Sequence, residues 1–163
     1  VQGGVFSANS DNTGFTLDDV FETGELFYNL ELGWSGLART GTPVNARGPM
    51  DTNNAHLSFW YKDAQPEAAV TSQPSAKGVA FNANFMAGQN IMWFVRGGYA
   101  QDYINRRNLT AGFGYRPSER YSDLLGFGVG WVEPSNAALR DQYTAEAFYR
   151  FQVTSNFEVT PDI

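Results

Sequence analysis

Hydropathy that alternates residue by residue, in one segment after another, constrains this chain more than any other feature. Successive side chains of a strand point to opposite faces, so a period of two selects β-structure with one apolar and one polar face. From Glu25 to Trp34, Leu26, Tyr28, Leu30, Leu32 and Trp34 oppose Phe27, Asn29, Glu31 and Gly33. Ala55, Leu57, Phe59 and Tyr61 then alternate with His56, Ser58, Trp60 and Lys62, and Val79, Phe81, Ala83 and Phe85 with Ala80, Asn82 and Asn84. Ile91, Trp93, Val95 and Tyr99 oppose Met92, Phe94, Arg96 and Gly98; Leu109, Ala111, Phe113 and Tyr115 oppose Asn108, Thr110, Gly112 and Gly114. Leu125, Phe127, Val129 and Trp131 oppose Gly126, Gly128 and Gly130, and the set from Tyr143 to Val153 opposes Thr144, Glu146, Phe148, Arg150 and Gln152. With further strands at Val1 to Ser10 and from Asn156 onward, the pattern predicts eight or nine strands and almost no helix.

Ala87 to Gln89, Pro117 to Tyr121 and Thr154 to Asn156 read as short turns, with equal or longer connections between them at Asp63 to Ala76, Gln101 to Asn105 and Glu133 to Asp141. Short turns at one end and longer loops at the other is the construction of outer-membrane barrels. Asp11 to Gly24 and Ser35 to Asn54 read as loops, the first with room for a helical turn from Thr16 with Asp19 as its capping-box partner.

Two solvents could meet the apolar face. In a soluble sandwich it packs on a second sheet and the polar face meets water. Charged residues are only 17% of the chain while aromatics are 15%, and the polar face carries Gly, Asn and Thr instead of a solvated Lys/Glu surface. The apolar faces persist for about ten residues, the length a tilted strand needs to cross a bilayer. Bulky aromatics such as Trp131, Tyr143, Phe85, Trp93, Tyr149 and Phe151 cluster near strand ends, and Ala83, Val95, Ala111, Val129, Ala145 and Ala147 occupy strand middles. A sandwich core would put its bulk in the middle; an aromatic girdle puts it at the ends. The expected fold is therefore an all-β, antiparallel transmembrane β-barrel, with the whole of 1–163 forming one barrel region.

Composition excludes much else. The net charge is −6 with only two lysines, Lys62 and Lys77, so the basic stripe that nucleic acid requires is missing. There is no Cys and one His, His56, which removes disulfides, thiolate metal sites and His-rich zinc sites. No cofactor or metal is expected. The first residues, Val1-Gln2-Gly3, lack a Met or signal-peptide features, so a mature chain or a piece of one is expected. A piece is favoured because Gly98, Gly112, Gly114, Gly126, Gly128 and Gly130 would come together on the inner wall as a side-chain-free patch. Pairing across the turns sets Arg96 near Thr110, Gly98 near Asn108, Gly112 near Gly126 and Gly128 near Glu146. A small eight-stranded barrel must fill its interior with side chains, so such a patch calls for a wider barrel or an inserted loop.

Met92-Trp93-Phe94-Val95-Arg96-Gly97-Gly98-Tyr99, then Leu124 to Trp131, and Tyr149 to Thr154 running on to Val159-Thr160-Pro161-Asp162, resemble the C-terminal half of the carbohydrate-selective porins (OprB type) of Gram-negative outer membranes. The likeness is best from about residue 90 to 163. It implies a parent barrel of about 16 strands in the bacterial outer membrane, passing sugars by facilitated diffusion. The chain departs from the family in length, and the missing strands would come from the rest of the barrel or from other porin chains, because open strand edges cannot face lipid.

A sugar pore needs polar groups that replace hydration water and flat apolar surfaces for pyranose faces. Candidate pore-lining residues are Asn29, Glu31, Asn82, Asn84, Arg96, Asn108, Glu146 and Arg150, with Trp60, Phe94 and Phe148 as stacking surfaces. Lys62, Arg96, Arg116 and Arg150 nearly balance Glu31, Glu146 and Glu158, which suits a small neutral sugar better than an ion. The duller alternative for each charge is pairing along the wall, and for each Phe, packing under an inserted loop. His56 and Ser58 share a face as a nucleophile and base would, but no third orienting residue is evident. Glu31 and Glu146 could be cast as a glycosidase pair, and Asp11, Asn12, Asp18 and Asp19 as a Ca²⁺ loop, though their spacing matches no EF-hand. Asn108-Leu109-Thr110 is a glycosylation sequon lying mid-strand. No enzymatic activity is expected; a general diffusion porin and a non-conducting structural barrel are the alternatives.

Overall fold

The computed structural model describes residues 1–8, 25–37, 52–65, 74–88, 90–117, 123–154 and 157–161. The Thr16 turn with its Asp19 cap, the acidic residues Asp11 to Asp19, and most of the Pro117 to Tyr121 turn lie outside the described residues. Nine strands follow one another: β1 Gln2–Ser7, β2 Leu26–Leu37, β3 Thr52–Lys62, β4 Ala76–Ala87, β5 Ile91–Gln101, β6 Asn105–Tyr115, β7 Leu124–Pro134, β8 Gln142–Thr154 and β9 Phe157–Val159. Among the described residues there is no helix. Each strand pairs antiparallel with the next, so spatial order equals chain order. β1 to β8 make one continuous ladder, β9 adds three residues to the edge of β8, and no described pairing joins the two ends of the sheet. The all-β antiparallel expectation holds. The two packed sheets of a sandwich are not what the described strands form.

Strand limits exceed those expected from hydropathy. Ser35 and Asn54, taken as loop ends, face each other inside the β2–β3 ladder, followed by Gly36 with Asn53 and Leu37 with Thr52. Backbone N–H and C=O groups pair whatever the polarity of their side chains, so the ladder outruns the apolar pattern. Glu133 and Pro134 likewise close β7 instead of opening a loop, with Pro134 at the strand end where its missing N–H is tolerated. The alternation of short turns and long loops does not survive: β2 ends and β3 begins at the same end of the sheet as the tight turn through Gly88, although residues 38–51 separate them. Gly88 sits at φ 76°, a left-handed conformation that glycine adopts without strain. Asp102 takes the same role in the β5–β6 turn at φ 59°.

The ladders arrange the apolar face in transverse rows. One runs Trp34, Ala55, Ala83, Val95, Ala111, Val129 and Ala145 across β2 to β8. Beside it Phe85, Trp93, Phe113 and Phe127 form the next row, with ring centroids 5.3 Å (Trp93–Phe113) and 6.0 Å (Phe113–Phe127) apart. Small residues are thus banded together and flanked by rings. Nothing described covers this face: Leu30 is 48% exposed, Trp34 61% and Phe85 49%, and among the described residues the buried apolar ones are Ala76 and Ala100. A globular domain of this size buries large apolar side chains in a core, whereas none of the described large side chains is fully buried.

Candidate functional site on the polar face

The same ladders set the polar face in rows. The middle one reads Gly33, His56, Asn82, Arg96, Thr110, Gly130 and Thr144 from β2 to β8. It lies at nearly the same height as the alanine-rich row, because adjacent residues of each strand point oppositely. The expected pairings of Arg96 with Thr110, Gly98 with Asn108 and Gly128 with Glu146 are all present. Gly112 faces Gly128, and Gly126 faces Gly114, a shift of two residues from the expected register.

On β1 to β3, Glu31 gathers three partners. His56 Nδ1 lies 2.9 Å from its Oε1, Gln2 Nε2 donates to the same oxygen at 2.9 Å, and the Ser58 hydroxyl donates to Oε2 at 3.2 Å. Glu31 is therefore the orienting acid for His56 that sequence reading did not identify. The signal was cross-strand: Glu31 faces Ser58 and lies diagonal to His56 once the strands are in register. Ser58 hydrogen-bonds the carboxylate and not the imidazole, so the nucleophile-to-base contact that hydroxyl activation needs is not formed. Glu31 and Glu146 sit on β2 and β8 with five strands between them, and no register brings them side by side.

Next along the wall, Asn82 Oδ1 accepts from Arg96 Nε at 3.1 Å, and the Arg96 guanidinium carbon lies 5.4 Å from the Phe94 ring centroid. Arg96 is thus held by an amide and an aromatic face instead of an acid. One N–H is used, and the remaining donors of its planar fork face open space, since Arg96 is exposed. Asn84 Nδ2 approaches Met92 Sδ at 3.7 Å, and across the ladder Asn54 Oδ1 is buried without a described partner.

The glycine patch is not bare, which corrects the expectation from sequence. A Cβ added at Gly112 would meet the Phe94 ring at 2.7 Å, one at Gly128 would find the same ring at 3.6 Å, and one at Gly126 would collide with Phe148. Two rings of the wall itself thus lie over Gly112, Gly126 and Gly128, three of the six glycines of the patch. Both rings line a cavity of about 330 Å³ that Glu146, Arg116 and Arg150 also border. At the far end of the face, Trp60 lies over Gly78, stacks with Phe27 at 6.1 Å and meets Tyr103 edge-on at 5.5 Å.

Of the expected pore-lining residues, Phe94, Glu146, Phe148 and Arg150 come together around this cavity, with Arg96 two residues along the strand of Phe94 and Asn82 and Asn84 on the neighbouring β4. Asn29 is opposite Trp60 at the other end, Asn108 is opposite Gly98, and Glu31 belongs to the His56 cluster; these three are not part of the cavity. Among the described residues no group of His, Asp and Glu could hold a metal ion. No family model matches the chain, and no curated protein or solved structure matches it.

Proposed function

We propose that this chain is wall of a bacterial outer-membrane channel of the carbohydrate-porin kind, its apolar face in lipid and its polar face lining a water-filled passage for small neutral sugars. The observation that carries this reading is the pairing of a continuous apolar face that no described residue covers with a polar face whose aromatic rings lie over glycines. A soluble domain does not leave an apolar surface of this extent open to water, whereas a membrane strand needs one, and β2 to β8 have 11 to 13 residues, enough for a tilted crossing. Sheet edges in lipid must be paired, so the working channel is a closed barrel whose remaining strands come from the rest of the polypeptide or from other chains.

On the polar face, Phe94 and Phe148 supply apolar floors for a pyranose ring, while Arg96, Arg150, Glu146 and the Asn side chains exchange hydrogen bonds with its hydroxyls. The sugar is bound weakly and released, with no bond made or broken, so the mechanism is positioning and exchange of hydration alone. The resemblance to OprB-type porins agrees with this chemistry. The test is reconstitution: the intact protein should require detergent, migrate differently on gels before and after boiling, and conduct in planar bilayers with a current partly blocked by a neutral monosaccharide. A conducting protein whose current no sugar alters is a general diffusion porin, and a detergent-free soluble monomer ends the membrane reading.

A further inference from the structure

Within the strands of the apolar face, the alternation leaves three charged residues among the described ones: Lys77, Arg107 and Glu133. All three sit at the same end of the sheet. Arg107 has an acidic partner, since Glu133 lies 3.5 Å from it, a carboxylate that it shares with Arg106 at 3.7 Å. Lys77 is exposed, and no carboxylate among the described residues pairs with it. It stands in a transverse row Tyr28, Tyr61, Lys77, Gln101, every member able to donate a hydrogen bond, with Tyr28 and Tyr61 rings 6.1 Å apart. The next row toward the sheet centre, Leu30, Phe59, Val79 and Tyr99, is apolar, and Gly3 begins it with no side chain at all. Together these two rows border a groove of about 850 Å³.

We infer that this groove holds one anionic phospholipid, its phosphate on Lys77 and the flanking tyrosine hydroxyls and an acyl chain along Leu30, Phe59 and Val79; the inference rests on the membrane reading above. Charge complementarity selects the occupant. A lone ammonium on an apolar face has no counter-charge among the described residues, and at headgroup height the lipid phosphate is the anion at hand. The groove's apolar wall matches an acyl chain and offers nothing to a soluble anion.

Native mass spectrometry of the detergent-purified protein with an equal mixture of phosphatidylglycerol and phosphatidylcholine tests this. One phosphatidylglycerol should be retained in preference by about five-fold, the ratio expected for one basic residue at a lipid surface. Lys77→Gln should abolish the preference and Lys77→Arg keep it, while Val79→Trp, on the lipid side where the fold has room, should lower retention of both lipids. Arg107→Ala should leave the preference in place. Equal retention of the two lipids, an unchanged preference in Lys77→Gln, or a groove occupied by a second copy that Val79→Trp dissociates would overturn the inference and leave the membrane reading standing. A protein that enters neither micelles nor vesicles would overturn both.

Discussion

Two stretches of one polar face solve the same problem in opposite ways. On β1 to β5 the wall is built from side chains that bond each other: Gln2, His56 and Ser58 on Glu31, then Asn82 on Arg96. On β6 to β8 it is built from their absence, with Gly112, Gly126 and Gly128 leaving space that Phe94 and Phe148 lie down in. Polar groups are fixed where hydrogen bonds fix them; rings are fixed where neighbouring backbone is bare. The first stretch is specified by donors and acceptors, the second by steric room, and the candidate sugar site sits at their junction, where Arg96 meets Phe94.

The comparison breaks most sharply at Gly112. Its added Cβ would meet the Phe127 carbonyl oxygen of the neighbouring strand as well as the Phe94 ring. Backbone cannot swing away, so Gly112→Ala should destabilise by on the order of 2–3 kcal/mol, seen as a lower temperature at which the folded gel band is lost. The nearest atoms to an added Cβ at Gly126 all belong to the Phe148 ring, which can rotate off, so Gly126→Ala should cost less stability while disturbing the cavity lining more. Gly114→Ala, whose Cβ would touch only Leu124 Cδ1 at 3.4 Å, should be close to neutral. Equal losses at Gly112 and Gly114 would show that steric room does not specify this stretch.

For the site itself, Phe94→Ala and Phe148→Ala should each weaken sugar block of the channel current by roughly five-fold, about 1 kcal/mol of lost ring contact. Arg96→Ala and Arg150→Ala should change the block more than Arg140→Ala, which lies in the exposed β7–β8 connection. If the lumen substitutions leave block and liposome swelling unchanged while the channel still opens, the site assignment fails and the channel reading survives. The smallest effect is expected in the polar stretch: Glu31→Gln keeps size and most hydrogen-bond capacity but removes the charge facing His56, and should barely lower the temperature at which the folded gel band is lost, because solvent screens the cluster. A larger loss would mean that this network, and not the glycine floor, holds the wall together.

How much was legible in the sequence differs between these stretches for a physical reason. Strand alternation is local, so which face each residue takes, including all eleven candidate pore residues, followed from a period of two. Short turns also carried register: with three residues between Gln101 and Asn105, Arg96 had to fall opposite Thr110. Between β6 and β7 the same reasoning slipped by two residues, because the strands end earlier and begin later than the turn expected at Pro117 to Tyr121, and the eight residues left between them do not set the register.

What the sequence alone determined is therefore an all-β antiparallel chain with an apolar and a polar face. Only the tertiary structure decided what lies over the glycines, what orients His56, and which charges on the apolar face have a partner. Those are contacts between residues on different strands, and they depend on side-chain directions and cross-strand register that no local period encodes. Phe94 and Phe148 read as candidate stacking surfaces or as packing for a missing loop until the ladder laid them over Gly112, Gly128 and Gly126.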